Sequence, residues 1–420
     1  MKIVFLYLSL LMCLVLPGCS DSEPGITEEE LPNRTILVYL AAENSLSSFA
    51  LDDYDEMLSG MESVADNNHL LVYVDVNKDK QGMTALPKLI HIGKDQATGV
   101  VQETVVYEYP EQDDSSVTVE RMVDAFNRAF TAYPAKSYGL VLWSHGDGWL
   151  PVSQSLRSFG QDGGSSGPQM DILDLEKAVS EGCRLLGASS RFDFIYFDAC
   201  FMQGIEVAYQ FCNYTDYLVA CPLETPGPGS PYDLVLKPLF ADSRADVVGM
   251  AETYYDSYAA LYAGGVGGSN DHWTSGAAIS VVNTAGLTYL AEETRSIYQN
   301  HADEIYALTE ADLADVQVFD SDRRYGGVYK QAYYDFGDLV KHIASDDEYS
   351  RWSLALNEAV PYKASTPTCY SVYYGGWGGN MPILSFSGLS SYFPFQQDTK
   401  YASWNTYYKG LAWAEYLGLW

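Results

Sequence analysis

Positive charge is what this sequence has least of. Against 56 Asp and Glu stand 24 Lys and Arg, a formal charge of −32 over 420 residues. No Lys/Arg cluster breaks the acidic background, so no basic face is available for a phosphate backbone, and nucleic acid is not an expected partner. A cationic substrate suits such a chain better. Histidine is scarce as well, with six in all. Neither H-E-x-x-H nor a Cys/His pair cluster occurs, so a metallohydrolase is poorly supported, and no metal or other cofactor is expected. Asp75-Val76-Asn77-Lys78-Asp79 starts like a calcium loop, but Lys80 stands where that loop needs glycine, and the segment reads as a turn. Gly264 to Gly268 lacks the Lys-Ser/Thr of a phosphate loop. Fixed-period repeats are missing, and no apolar run has the length of a convincing membrane span.

What is present is a globular composition, 47% hydrophobic and 19% charged, enough for one large domain or two. Met1 to Gly18 carries Lys2, an apolar run from Ile3 to Leu16, then Pro17-Gly18-Cys19-Ser20. This has the shape of a secretory signal, and L-P-G-C resembles a bacterial lipoprotein cleavage box. The resemblance implies cleavage before Cys19, lipid on its sulfur, and a cell-envelope protein that meets the membrane by its anchor only. Ordinary cleavage near Ser20 with a free secreted product is the alternative. Residues 19–33 are acidic and read as a tether. Without Cys13 and Cys19, five cysteines remain: Cys183, Cys200, Cys212, Cys221 and Cys369. In an oxidising compartment an odd number leaves at least one thiol unpaired, and a nucleophile has to be that one.

Along the mature chain, Thr35 to Ala42 and Leu70 to Val76 are strand-like runs with a helical pattern from Leu46 to Met61 between them, a βαβ unit. Lys88 to Ile92 and Thr104 to Tyr109 resemble further strands. Val119 to Tyr133 carries an amphipathic stripe that leads into Tyr138 to Ser144, Y-G-L-V-L-W-S, a buried strand ending on His145-Gly146-Asp147-Gly148-Trp149. Phe192 to Phe197 is a second such strand, and it stops on Asp198-Ala199-Cys200 before a helix-like segment from Phe201. His145 alone among the six histidines follows an apolar run at its carboxyl end. Two parallel strands would bring His145 and Cys200 to one sheet edge, as a general base and a nucleophile require.

W-S-H-G-D-G-W followed by Y-F-D-A-C-F-M-Q-G resembles the His-Gly and Asp-Ala-Cys signatures of the clostripain family of cysteine endopeptidases, relatives of caspases, legumains and gingipains. The resemblance covers roughly Thr35 to Asp233 and returns only at G-L-S-S-Y-F-P from Gly388. It implies an α/β fold with a caspase-like, mainly parallel sheet flanked by helices on both faces. Residues 34–283 would form the catalytic domain, and 284–420 a helix-rich part packed on it or continuing it.

The chemistry read from the residues agrees. His145 is the candidate base, Cys200 the nucleophile, and the N–H groups of Gly146 and Cys200 the oxyanion donors. Asp198 leaves the same strand face as Cys200, and a carboxylate beside a nascent thiolate calls for a cation, which an Arg or Lys of a peptide substrate would supply. The alternative for Asp198 is helix capping or an internal pair. The resemblance likewise places this Asp in the primary specificity pocket of basic-specific members. Such members carry another acid in the Pro-Gly-x-Gly loop, where this chain has Pro228, and Glu224 is the candidate substitute. Pro151 to Pro168, Ser/Gly-rich with Arg157 as its one basic residue, is where a family precursor would be cut. A rival reading is a non-catalytic glycan- or protein-binding lipoprotein, prompted by 34 Tyr.

Overall fold

Arg34–Ala42 (β1) is buried at every one of its nine positions, and its side chains alternate between two cores. Leu37, Tyr39 and Ala41 face one, and Ile36, Val38 and Leu40 the other. A strand apolar on both faces belongs inside a sheet covered on both sides. The computed structural model describes residues 31–77, 86–95, 97–110, 115–151, 158–163, 167–187, 190–265 and 273–418. Cys13, Cys19, Arg157 and nearly all of the tether lie outside those residues.

The first unit runs Ser47–Met61 (α1), Asn68–Val76 (β2), Lys88–Lys94 (β3), Val101–Glu108 (β4) and Val119–Ala132 (α2). Ser137–Trp143 (β5), Ile172–Cys183 (α3), Phe192–Asp198 (β6), Ile205–Phe211 (α4) and Thr215–Ala220 (β7) follow. Next come Tyr232–Leu239 (α5), Val247–Leu261 (α6) and Ala278–Asn283 (β8). Leu287–Asn300 (α7), Ala302–Ala307 (α8), Arg324–Tyr325 (β9), Val328–Tyr329 (β10), Tyr334–Asp335 (β11), Phe336–Ile343 (α9) and Asp346–Ala359 (α10) precede Tyr362–Ser365 (β12). Thr368–Ser371 (β13), Gly379–Pro382 (β14), Ser390–Ser391 (β15), Ala402–Tyr408 (α11) and Ala412–Leu417 (α12) complete the chain.

The central sheet has nine strands in the order β12-β8-β7-β6-β5-β1-β2-β3-β4. From β7 to β2 every pairing is parallel, and the strands beyond on either side are antiparallel. Helices α1, α5 and α6 cover one face, while α2, α3, α4 and most of the later helices cover the other. After β4 the chain returns through α2 to the far side of β1, so the strand order reverses between β1 and β5. A crevice opens at such a reversal, at the carboxyl ends of the strands.

Residues beyond 283 do more than pack alongside. Strand β12 pairs with β8 at the edge of the central sheet, so the part expected to be helix-rich also contributes a strand to it. Within the G-L-S-S-Y-F-P segment only Ser390–Ser391 is strand, β15, which pairs with β11 outside the central sheet. Ser390 N–H donates to Gln203 O at 3.0 Å, and the Gln203 side chain donates to Ser280 O at 2.9 Å. The G-L-S-S-Y-F-P segment therefore braces the turn that follows Cys200. Much of the aromatic content is interior: Trp149, Tyr392, Trp404 and Tyr408 form one buried cluster.

Candidate active site

β5 and β6 lie side by side in register, with Trp143 opposite Asp198. His145 and Cys200 each follow two residues later, so matched register delivers imidazole and thiol to one edge. Both line a cavity of about 370 Å³, together with Gly146, Asp198, Glu224, Trp273, Arg323 and Tyr373 among others.

Gly146 is where the two loops touch. A Cβ there would sit 2.6 Å from Cys200 O, 3.0 Å from the Ala199 Cβ and 3.1 Å from Met202 Sδ. Only a residue without a side chain allows that approach. The neighbours on either side are tied down, Asp147 N–H to Ser158 O at 3.0 Å and Gly160 N–H to His145 O at 2.9 Å. His145 Nε2 pairs with Ser45 Oγ at 2.9 Å, a contact from the loop after β1.

Cys200 differs from the expectation in one respect. A helix beginning at Phe201 would have set the thiol at a helix amino terminus, which favours thiolate. Instead Phe201 takes a left-handed conformation, φ 61°, and α4 starts only at Ile205. Left-handed backbone is unfavourable for a side chain of this kind, and the strain is held by burial and by stacking on Tyr333, with ring centroids 4.5 Å apart. Burial pushes the Cys200 thiol up to about 12, the charges of Glu224 and Asp147 add to this, and an N–H bond from Thr225 at 3.3 Å opposes it. All five described cysteines are free thiols.

Asp198 is buried on the cavity wall. Its Oδ2 accepts from Ser230 N–H at 2.9 Å and from the Tyr232 hydroxyl at 3.0 Å. Its Oδ1 is buried without a hydrogen-bond partner among the described residues. Burial raises this carboxyl to about 6 despite those bonds. It caps no helix. The Pro/Gly-rich segment forms the wall through Thr225, Pro226, Gly227 and Gly229. Glu224 lies against the β13 hairpin, accepting from Val372 N–H at 3.2 Å, and burial raises it to about 7.

Sequence reasoning missed three contributors. Arg323 is buried in the cavity, paired with Asp147 Oδ1 at 2.7 Å and stacked over Tyr325 and Tyr373 at 4.5 Å each. Trp273 and, from the β13 hairpin, Tyr370, Val372 and Tyr373 also line the cavity. None carries a local motif, because each reaches the cleft from a distant part of the chain. A separate acidic group, Glu43, Asp75 and Asp162, brings carboxylate oxygens within 4.8 Å of one another, a donor set suited to a hard divalent cation. It is assembled from three segments and not from the linear Asp75 to Asp79 pattern, of which Lys78 and Asp79 lie outside the described residues.

The sequence profile of the clostripain family, Peptidase C11, matches residues 38–420. The chain belongs to the clostripain family. Its match runs well past Asp233, where the motifs thin out. A secreted C11 cysteine protease from Bacteroides thetaiotaomicron, solved in complex with an irreversible peptide inhibitor, is 37% identical, with 92% of this chain and 99% of that one covered at a TM-score of 0.76. An inactive zymogen C11 protease from Parabacteroides distasonis is 30% identical over 92% and 98% of the two chains, TM-score 0.73. A B. fragilis cysteine protease is 34% identical over 62% and 96%, TM-score 0.52. No match was found among curated proteins. The molecule is thus a clostripain-family cysteine protease with the caspase-like sheet that its motifs implied.

Proposed function

We propose that this protease cuts peptide bonds after Arg or Lys with a His145/Cys200 dyad. The observation that carries the reading is the register of β5 and β6, which gives both side chains one cavity with the buried Asp198 on its wall. The imidazole of His145 takes the thiol proton as Sγ bonds to the scissile carbonyl carbon. The oxyanion is met by N–H groups of Gly146 and Cys200. Imidazolium then protonates the leaving amine as the C–N bond breaks, and a thioester remains. Water, deprotonated by the same imidazole, attacks the thioester and releases the carboxylic acid and the thiol.

A resting thiol raised to about 12 by burial must be lowered for attack, and the cation of an incoming Arg or Lys is one charge that does so. Asp198 has the unpartnered oxygen to receive it. Assay of Cys200→Ala and wild type on Arg- and Lys-amide peptides tests the whole reading, and equal turnover by the two would remove Cys200 from the chemistry.

We further place the protein outside the cytoplasm, anchored by lipid on Cys19. The L-P-G-C segment supports this, as does the description of a relative as secreted. Among the described residues no helix is long and apolar enough to cross a membrane. A relative described as an inactive zymogen supports a precursor cut near Arg157. A single uncut chain, seen by intact mass in an active preparation, would overturn that last point.

A further inference from the structure

Asp198 on the cavity wall is backed by two further acids that do not themselves line the cavity. Asp53 and Glu56 stand one turn apart on α1, the helix whose Phe49 packs on Trp273 with ring centroids 5.6 Å apart. Glu56 Oε2 accepts Tyr232 N–H at 2.9 Å, and the hydroxyl of the same tyrosine donates to Asp198. Asp53 is 2% exposed, and the indole of Trp143, a cavity-lining residue, stands beside its carboxyl. Asp53 Oδ2 is buried with no hydrogen-bond partner among the described residues, as is Asp198 Oδ1. Among those residues no Lys or Arg forms an ion pair with any of the three acids. Buried carboxylates are otherwise matched by a cation or by full hydrogen bonding.

We propose that Asp53 is the second acidic determinant of the primary specificity pocket, a positioning residue acting through Trp143 and Asp198 on a basic side chain of the substrate. The inference rests on the Arg/Lys reading above and deepens it. It also accounts for Pro228, since the acid missing from the 226–231 loop is supplied by α1 from behind Trp143 and Asp198. Asp198 on β6, Glu56 and Asp52 on α1, Tyr232 on α5 and Tyr258 on α6 are the titratable groups around Asp53. Burial first, then the charge of Asp198, raises Asp53 to about 10, so the empty pocket keeps it protonated. A guanidinium or ammonium that enters the pocket stabilises the ionised form, and the proton leaves to solvent.

The test uses paired peptides that differ only in Arg or its uncharged isostere citrulline before the cleaved bond. The readout is the ratio of their kcat/KM values in wild type and in Asp53→Asn, normalised to sites titrated by a thiol-reactive peptide. Asp53→Asn is expected to lower the Arg-over-citrulline ratio roughly tenfold, chiefly through KM for the Arg peptide, because charge recognition is lost while shape is kept. A merely structural role for Asp53 would depress both peptides alike and leave the ratio alone. If Asp53→Asn does not fold, Asp53→Ala is read in the same way. A ratio within about threefold of wild type overturns the assignment of Asp53. A wild type without preference for Arg over citrulline overturns instead the basic specificity on which the proposal stands.

Discussion

Replacing Gly146 with alanine probes the closest approach in the site. The new Cβ would stand 2.6 Å from Cys200 O, a shortfall of about 0.8 Å from ordinary contact at 3.4 Å. The obstacle is backbone, and the Asp147 and Gly160 hydrogen bonds keep the His145 side from yielding freely. The strain is therefore expected to separate His145 from Cys200. A displacement near 1 Å in a catalytic arrangement costs on the order of 100-fold in rate, or about 2.7 kcal/mol of barrier. Overpacking should also destabilise the fold by about 1 to 3 kcal/mol. Gly286→Ala is the control, since its Cβ would meet Ala359 backbone atoms at 2.7 and 2.9 Å, far along the chain from the catalytic loops. Steady-state kinetics on an Arg-amide peptide and urea unfolding would be measured for both variants. Gly146→Ala should lose activity and stability, and Gly286→Ala stability alone. A Gly146→Ala enzyme with kcat/KM within about threefold of wild type would refute the reasoning.

Three further outcomes follow from the same geometry. Ionised Glu224 holds the Cys200 thiol up, so Glu224→Gln should lower the thiol pKa and speed alkylation by neutral iodoacetamide at pH 8 about tenfold, and an unchanged or slower rate would contradict this. The folded chain holds a proton on Asp53 that the unfolded chain releases above 3.8, so this group's contribution to stability is full at low pH and is lost as pH rises toward about 10. Urea unfolding at pH 5.5 and 8.5 should accordingly show a smaller decline for Asp53→Asn than for wild type, and parallel declines would count against it. Arg34, 1% exposed, pairs with Asp193 at 3.1 Å and donates to the carbonyls of Leu239 and Ala241, so Arg34→Ala should cost about 3 kcal/mol by chemical denaturation, and a loss below about 1 kcal/mol would contradict the pairing's weight.

The parts of the fold visible in the sequence were those built on short-range period. β1, β2, β5 and β6 are apolar on both faces, and the α2 stripe repeats cleanly, so these elements could be read directly, together with the parallel start of the sheet. His145 and Cys200 were legible because each directly follows such a strand. What was hidden depends on tertiary placement. The Phe201 turn replaces a helix start through a positive φ on a non-glycine residue, for which no residue pattern gives warning. β12 is half-buried throughout and only four residues long, too short and too mixed to show a period. Arg323 and Asp53 look like ordinary surface charges in sequence, and only packing buries them, Arg323 in the cleft wall.

The most direct measurement is peptide mapping by mass spectrometry after treatment with an irreversible Arg-bearing peptide inhibitor. A single adduct on Cys200 of the wild type, formed far more slowly in His145→Ala, is the predicted result. An adduct on another cysteine, or labelling of Cys200 at the same rate without His145, would contradict a shared catalytic site.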